Sequence, residues 1–329
     1  MILAVATLFS CGQPRKPMLP AVSGKAGEVI IVMEKPSWEG ALGVAVRELL
    51  AADCPYLAQR EPLYSLVNVT PSNFTNIFQV HRNIIMFDVN PQGAGEGMKW
   101  RTDVWSRPQC VIQLSAPTDE RALEIFKENS ATILSTVEQA ERDRVIANSH
   151  QYEEKSLAPV VRERFGGSPC FPVGYSLKKA TPDFVWIANE KQFVNQGIFV
   201  YRYPAKGNAS DFELDNIIAN RNAIMQEQVP GMFENTYMTT AEFIPPTEEF
   251  VRYKGREFAQ VRGFWEVHND FMGGPFVSHS FYSPDGESII VLESFVYAPK
   301  YDKRQYLRQV ESILYSFEWN EPAESNDKK

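Results

Sequence analysis

Histidine is scarce in this 329-residue chain: there are four, and no two are spaced to share a helix face, so no histidine-based metal site is written locally. Cysteine is as rare. Beyond Cys11 there are only Cys54, Cys110 and Cys170, with no CxxC, so at most one disulfide can form among them, and small apolar free thiols are the expectation. No apolar run approaches the ~18–20 residues that a membrane-spanning helix needs. A basic excess is absent too: 33 Lys and Arg face 41 Asp and Glu, a net charge of −8, which excludes a general nucleic-acid binder. GxSxG, HExxH, P-loop and GxGxxG signatures are missing. Ser176 and Lys179 have SxxK spacing but fall on a predicted strand, where residues three apart face opposite sides. The carboxylate neighbours Asp119-Glu120, Glu153-Glu154 and Glu248-Glu249 diverge rather than flank a substrate. No catalytic residue, cofactor or metal is implied.

What is present is an ordinary globular composition, 44 % apolar and 22 % charged, in a chain long enough for two domains. Ile2–Phe9 is an apolar run that stops at Ser10-Cys11, and a small residue followed by Cys resembles the bacterial lipobox. There the chain is cut before the cysteine, whose acylated thiol anchors the protein to a membrane. Phe9 is bulkier than that pattern prefers, and no Lys or Arg precedes the run. Gln13–Pro20 carries three prolines and reads as an extended tether. Residues 1–11 are therefore read as signal and 12–25 as tether, followed by domains at 26–166 and 167–319 and a disordered tail at 320–329. Gly166-Gly167 marks the boundary between the halves.

The expected fold class is α+β, with mostly antiparallel sheets flanked by helices in two similar-sized halves. Glu28–Met33 is a continuous apolar run, suited to a strand buried on both faces. Ser37 is placed to cap a helix through Leu50, and Thr118 to cap another that extends toward Leu157. Further strands are expected at Tyr64–Val69, Ile84–Val89 and Cys110–Leu114. In the second half strands are expected at 173–177, 184–188 and 198–203, then a helix opened by the Ser210–Glu213 capping box. Three meandering strands follow, at 258–267, 276–282 and 288–297, and a final helix with Leu307, Val310, Ile313 and Leu314 on one face. That order matches helix-flanked antiparallel sandwiches such as the PsbP-like proteins, an analogy of fold alone.

A set of motifs runs along nearly the whole chain in this order: the lipobox, Gly24–Val29, Gln79–Asn83, Trp105–Gln109, Pro182–Ile187, Arg262–Trp265, Met272–Phe276 and Tyr297–Arg304. Together they resemble domain of unknown function 4837, a family of predicted Bacteroidota envelope lipoproteins. The resemblance implies an exported cell-envelope protein, and it implies no reaction or catalytic residues.

Two segments mix aromatic with polar groups. Trp100–Gln109 either presents indole faces and guanidinium groups to a sugar or peptide, or is a strand with alternating core tryptophans. In Arg262–Phe276, strand alternation puts Arg262, Phe264, Glu266, His268 and Asp270 on one side and Gly263, Trp265 and Val267 on the core side. Phe271 and Met272 then either sit on a glycine-flanked loop suited to adaptable apolar contact, or fold under a hairpin in which Gly273-Gly274 supply positive φ. The candidate binding surface is therefore Arg262, Glu266, His268, Asp270, Phe271 and Met272. His279 is expected to face the core. The reading is a binding or assembly module, tethered through its lipid on Cys11 to the outer membrane and facing the periplasm, whose partner is an envelope protein or a glycan. An envelope hydrolase with a non-motif active site is the alternative.

Overall fold

The computed structural model describes residues 18–93 and 95–320. Cys11, the signal before it, the tether up to Pro17 and the tail after Asn320 lie outside the described residues.

The first half is built on strands β1 (Glu28–Val32), β2 (Ser65–Val69), β3 (Asn83–Val89), β4 (Gly97–Thr102) and β5 (Cys110–Ala116), in the spatial order β2-β1-β3-β5-β4. Its helices are α1 (Lys35–Glu39), α2 (Ala41–Leu50), α3 (Asn76–Gln79), α4 (Asp119–Glu128) and α5 (Ser130–Gln151). The mixed class and the two halves hold. The antiparallel expectation does not extend to this sheet: β1 pairs β2 and β3 in parallel, β3 pairs β5 in parallel, and only β4 runs antiparallel to β5. The helices between β1 and β2 and between β2 and β3 return the chain in the same direction, and β4, antiparallel to β5, returns it parallel to β3. Interior β1 is accordingly apolar after Glu28, with Val29 and Ile31 packed under α2, α4 and α5 and Ile30 and Val32 on the other face beside Phe74 and Phe78.

Local signals placed α1, α2 and the start of α4 within a few residues, whereas α3 was not expected. Thr118 caps α4, its hydroxyl accepting the Arg121 N–H. Ser37 caps nothing; it lies inside α1 and donates to Asp119 Oδ1 at 2.9 Å. Gly40 separates α1 from α2, and the long helix expected after Thr118 breaks at Asn129 and again at Tyr152.

The second half holds α6 (Leu157–Phe165), α7 (Leu214–Gln228), α8 (Arg304–Tyr315), the short strand β6 (Gly167–Ser168), strands β7 (Ser176–Ala180), β8 (Phe184–Lys191), β9 (Val194–Pro204), β10 (Met238–Thr240), β11 (Thr247–Tyr253), β12 (Arg256–Val267), β13 (Gly273–Tyr282), β14 (Ser288–Tyr297), and a terminal β15 (Glu318–Trp319) that pairs β6. Its main sheet is antiparallel, ordered β10-β12-β13-β14-β9-β8-β7 with β11 also on β12. One face packs α6 and α8 through Val161, Phe165, Leu307, Val310, Ile313 and Leu314. The other packs α7 through Ile217 and Met225 against Phe199, Trp265, Phe276 and Phe295. Leu157, Val161 and Phe165 thus belong to the second core although they precede Gly166-Gly167. The capping box lies two residues earlier than the sequence suggested, between Asn208 and Asp211, and α7 starts at Leu214.

The halves are joined through buried polar contacts. Glu61, from the first half, caps α8: its carboxylate accepts the backbone N–H groups of Lys303 and Arg304 at 2.7 and 2.8 Å. Glu311 on α8 accepts from Arg262 on β12 at 2.5 Å, and Arg142 on α5 lies 3.9 Å from the same carboxylate. Behind them His279 is fully buried as expected, stacked on Phe258 and bonded to Gln260 Oε1 at 3.2 Å.

Burial, reinforced by Arg256, Arg262 and Arg142, holds the His279 imidazole well below its ordinary value of 6.5. The unfolded chain therefore takes up the proton first. This contribution to stability is intact above pH 6.5 and falls as pH drops below it, by about 1.4 kcal/mol per unit. The urea midpoint should decline between pH 7 and 5.5, and His279→Gln should flatten that slope. An equal slope in the variant would assign the loss to other groups.

Candidate functional site

A cleft of about 820 Å³ opens between α7, β10 and the end of β12. Asp215 and Asn222 come from α7, Thr240 from β10, Glu242, Phe243 and Pro245 from the loop that follows, and Glu266 and His268 from the end of β12. β10 and β11 pair with different stretches of β12, so the 241–246 loop bulges outward and Phe243 is left exposed against Phe264. Beneath the cleft lies a fully buried ion pair. The Arg221 guanidinium donates to Glu293 at 2.7 and 3.1 Å and to Thr240 Oγ1 at 2.9 Å. Tyr201 donates its hydroxyl to Glu293, and burial together with that carboxylate pushes its phenol well above the ordinary range. The floor of the cleft is therefore rigid, and its carboxylate-lined walls suit binding of polar or cationic groups.

Beside the cleft two loops form an apolar tip. His268 stacks on Tyr237 at 4.8 Å, and its N–H donates to the Tyr237 carbonyl, which clamps the β12–β13 turn to the segment after α7. Asn269 takes a positive φ of 62°, and Asp270 accepts the Phe271 N–H, which turns the Phe271 ring outward. That ring is 106 % exposed, and Met232 and Phe233 on the neighbouring loop are 82 % and 67 % exposed.

The predicted surface divides accordingly. Glu266 and His268 line the cleft, and Phe271 forms the tip. Asp270 is spent on the turn. Met272 is half-buried and packs on the second core, and the Arg262 guanidinium is committed to Glu311, so both are structural. Although burial opposes its charge, the Glu311 carboxylate raises the Arg262 pKa above its ordinary value. Met232, Phe233, Phe243, Asp215 and Glu242 were missed. The Pro230-Gly231 and Pro245-Pro246 breaks beside exposed aromatics were the available signal.

The remaining chemistry-bearing residues are occupied. Lys179 donates to the Gln228 carbonyl across a bulge in β7, away from Ser176. His81 pairs with Glu28 Oε1 at 2.7 Å. Cys54, Cys110 and Cys170 are free, and burial pushes each thiol up to about 11, which leaves them unreactive. Among the described residues no group of three or more His, Cys, Asp or Glu could hold a metal ion, and no helix is long and apolar enough to cross a membrane.

A variant of the protein Mog1 and the Saccharomyces cerevisiae Ran-binding protein Mog1p each share 10 % identity with this chain, over 47 % of it and 90 % of their own length, with TM-scores of 0.30 and 0.32. A Bacteroides thetaiotaomicron crystal structure shares 11 % identity over 47 % of this chain and 46 % of its own, with a TM-score of 0.25. No curated protein matches the chain. Residues 22–150 match the family model of a domain of unknown function, DUF8532, which takes in the motifs from Gly24 to Gln109. Residues 154–316 match that of the domain of unknown function DUF4837, so the second half of the chain is a DUF4837 domain, preceded by the region that matches DUF8532.

Proposed function

We propose that this protein is a lipid-anchored cell-envelope binding module. Cys11 holds it to the outer membrane facing the periplasm, and the cleft and its apolar tip engage an envelope protein or glycan. The observation that carries the reading is the Phe271 ring, fully exposed on a turn whose other residues are all fixed. An aromatic ring left in water on a hairpin turn gains nothing for the fold, and Phe233 and Met232 are exposed on the loop that Tyr237 joins to this turn, the composition of an interaction site. The acid-lined cleft beside it supplies polar specificity.

A photo-crosslinker at position 271 should capture a partner in intact cells. Phe233→Ser combined with Phe271→Ser should abolish capture from a second crosslinker at Phe243, with the melting temperature unchanged because neither ring is packed. Cys11→Ser should shift the protein from the membrane to the soluble fraction. Capture that survives the double change removes the tip from the binding site, and membrane retention of Cys11→Ser removes the lipid anchor.

A further inference from the structure

The folded body begins next to a second aromatic surface. Pro20 accepts the Arg107 N–H at 2.8 Å, and Val22 donates back to the Arg107 carbonyl, so the chain enters the first domain beside the Trp100–Gln109 segment. Only nine residues, Gly12–Pro20, separate Cys11 from that point. Fully extended they reach about 30 Å, and an anchored protein keeps this face within that distance of the bilayer.

The two tryptophans of the segment have different fates. Trp105 packs edge-on against Phe74 at 5.5 Å. Trp100 points to the same face of the sheet as buried Ile112, but it sits on edge strand β4, beyond the cover of α5, and is 61 % exposed. The groove between Trp100 and α5, about 690 Å³, is bordered on the helix by the small residues Ser135, Thr136, Ala140 and Ala147. Lys99 and Arg101, exposed on the same open strand, alternate with Trp100 and project from the other face of this edge, and the Arg107 side chain is 76 % exposed. Asp103, 3.2 Å from Arg107, and Asp143 are the acids on this rim. Met18, 96 % exposed, lies two residues before the Arg107 contact, and the tether carries Arg15 and Lys16 with no acid.

We infer that this edge, Lys99, Trp100, Arg101 and Arg107, rests on the headgroup region of the membrane that holds the lipid. The inference builds on the anchored reading above and names the surface that meets the bilayer. An exposed indole on an open edge strand, with cations next to it along the strand, is the composition of a membrane-interface contact, with the ring at headgroup depth and the cations on lipid phosphates. The acidic net charge of the chain makes such a basic edge directional. It turns the DUF8532 half toward the membrane and leaves the second domain to face its partner.

The test uses full-length Cys11→Ser protein, so that lipidation plays no part and failure of the anchor cannot be mistaken for failure of the surface. It should co-sediment with vesicles of equal phosphatidylglycerol and phosphatidylcholine, and not with phosphatidylcholine alone. Adding 0.5 M salt should release it. Lys99→Glu with Arg101→Glu should weaken binding about tenfold or more, since each cation near an anionic surface contributes about fivefold. Trp100→Phe should remove a blue shift in tryptophan emission seen on vesicle addition. Equal binding by the charge-reversed variant overturns the inference, as does absence of binding to anionic vesicles while circular dichroism shows a folded protein. Quenching of Trp100 by soluble peptidoglycan fragments, without vesicle binding, would overturn it in favour of a glycan groove.

Discussion

Glu293→Ala should cost about 3–5 kcal/mol, a large part of the stability of a domain this size. Both side chains of the Arg221–Glu293 pair have no exposed surface. The guanidinium also donates to Thr240 and lies 4.1 Å from the Phe276 ring centroid. With the carboxylate gone, Arg221 stays charged in an apolar layer and Tyr201 loses its acceptor. The pair itself is a weaker source of stability than its loss suggests, because two ions were stripped of water to make it. Arg221→Met combined with Glu293→Leu should therefore recover much of the loss. Urea midpoints of the parent, Glu293→Ala and the double variant measure both effects. A cost below about 1 kcal/mol for Glu293→Ala would mean that water reaches the pair. Thr240 and Asn222 border the cleft and are tied to Arg221, so the single change should also alter binding there while the double change restores the fold alone.

Such a pair is invisible in a sequence, since Arg221 and Glu293 are 72 positions apart and each reads as an ordinary surface charge. Glu61 and the α8 amides it caps are 242 positions apart and were missed for the same reason. What was legible is what periodicity writes locally. β1 reads as an apolar run after Glu28, α8 shows one apolar stripe, and β12–β14 read as apolar strands with turns between. Strand direction was not legible: the β2-to-β3 connection is only the 71–73 turn and four-residue α3, too short to announce a crossover. β11 escaped because its residues are mostly exposed and follow Pro245-Pro246, which reads as a loop. The candidate site was half legible. Alternation placed Glu266 and His268 together, but Glu311, the partner that withdraws Arg262 from it, comes from the last helix.

Trp265→Ala should cost about 3–5 kcal/mol, whereas Phe271→Ala, six residues along the same hairpin, should stay within about 0.5 kcal/mol. Alternation assigned Trp265 to the core side, and it is 2 % exposed, 5.6 Å from the Phe295 ring and 6.2 Å from that of Tyr297. Its neighbour across the ladder is Gly274, where an added Cβ would lie 1.9 Å from the Val296 carbonyl oxygen and 3.1 Å from the indole nitrogen. The backbone is thus pressed close at this point and cannot collapse into the void that alanine leaves, which puts the cost at the upper end of the range. Trp265→Phe should cost far less. It keeps most of the buried ring and deletes an indole N–H that has no hydrogen-bond acceptor among the described residues. Chemical denaturation of the three variants checks the ordering. If Trp265→Ala and Phe271→Ala are equally damaging, the hairpin tip is packed, and the exposed aromatic that carries the binding reading is a structural residue instead.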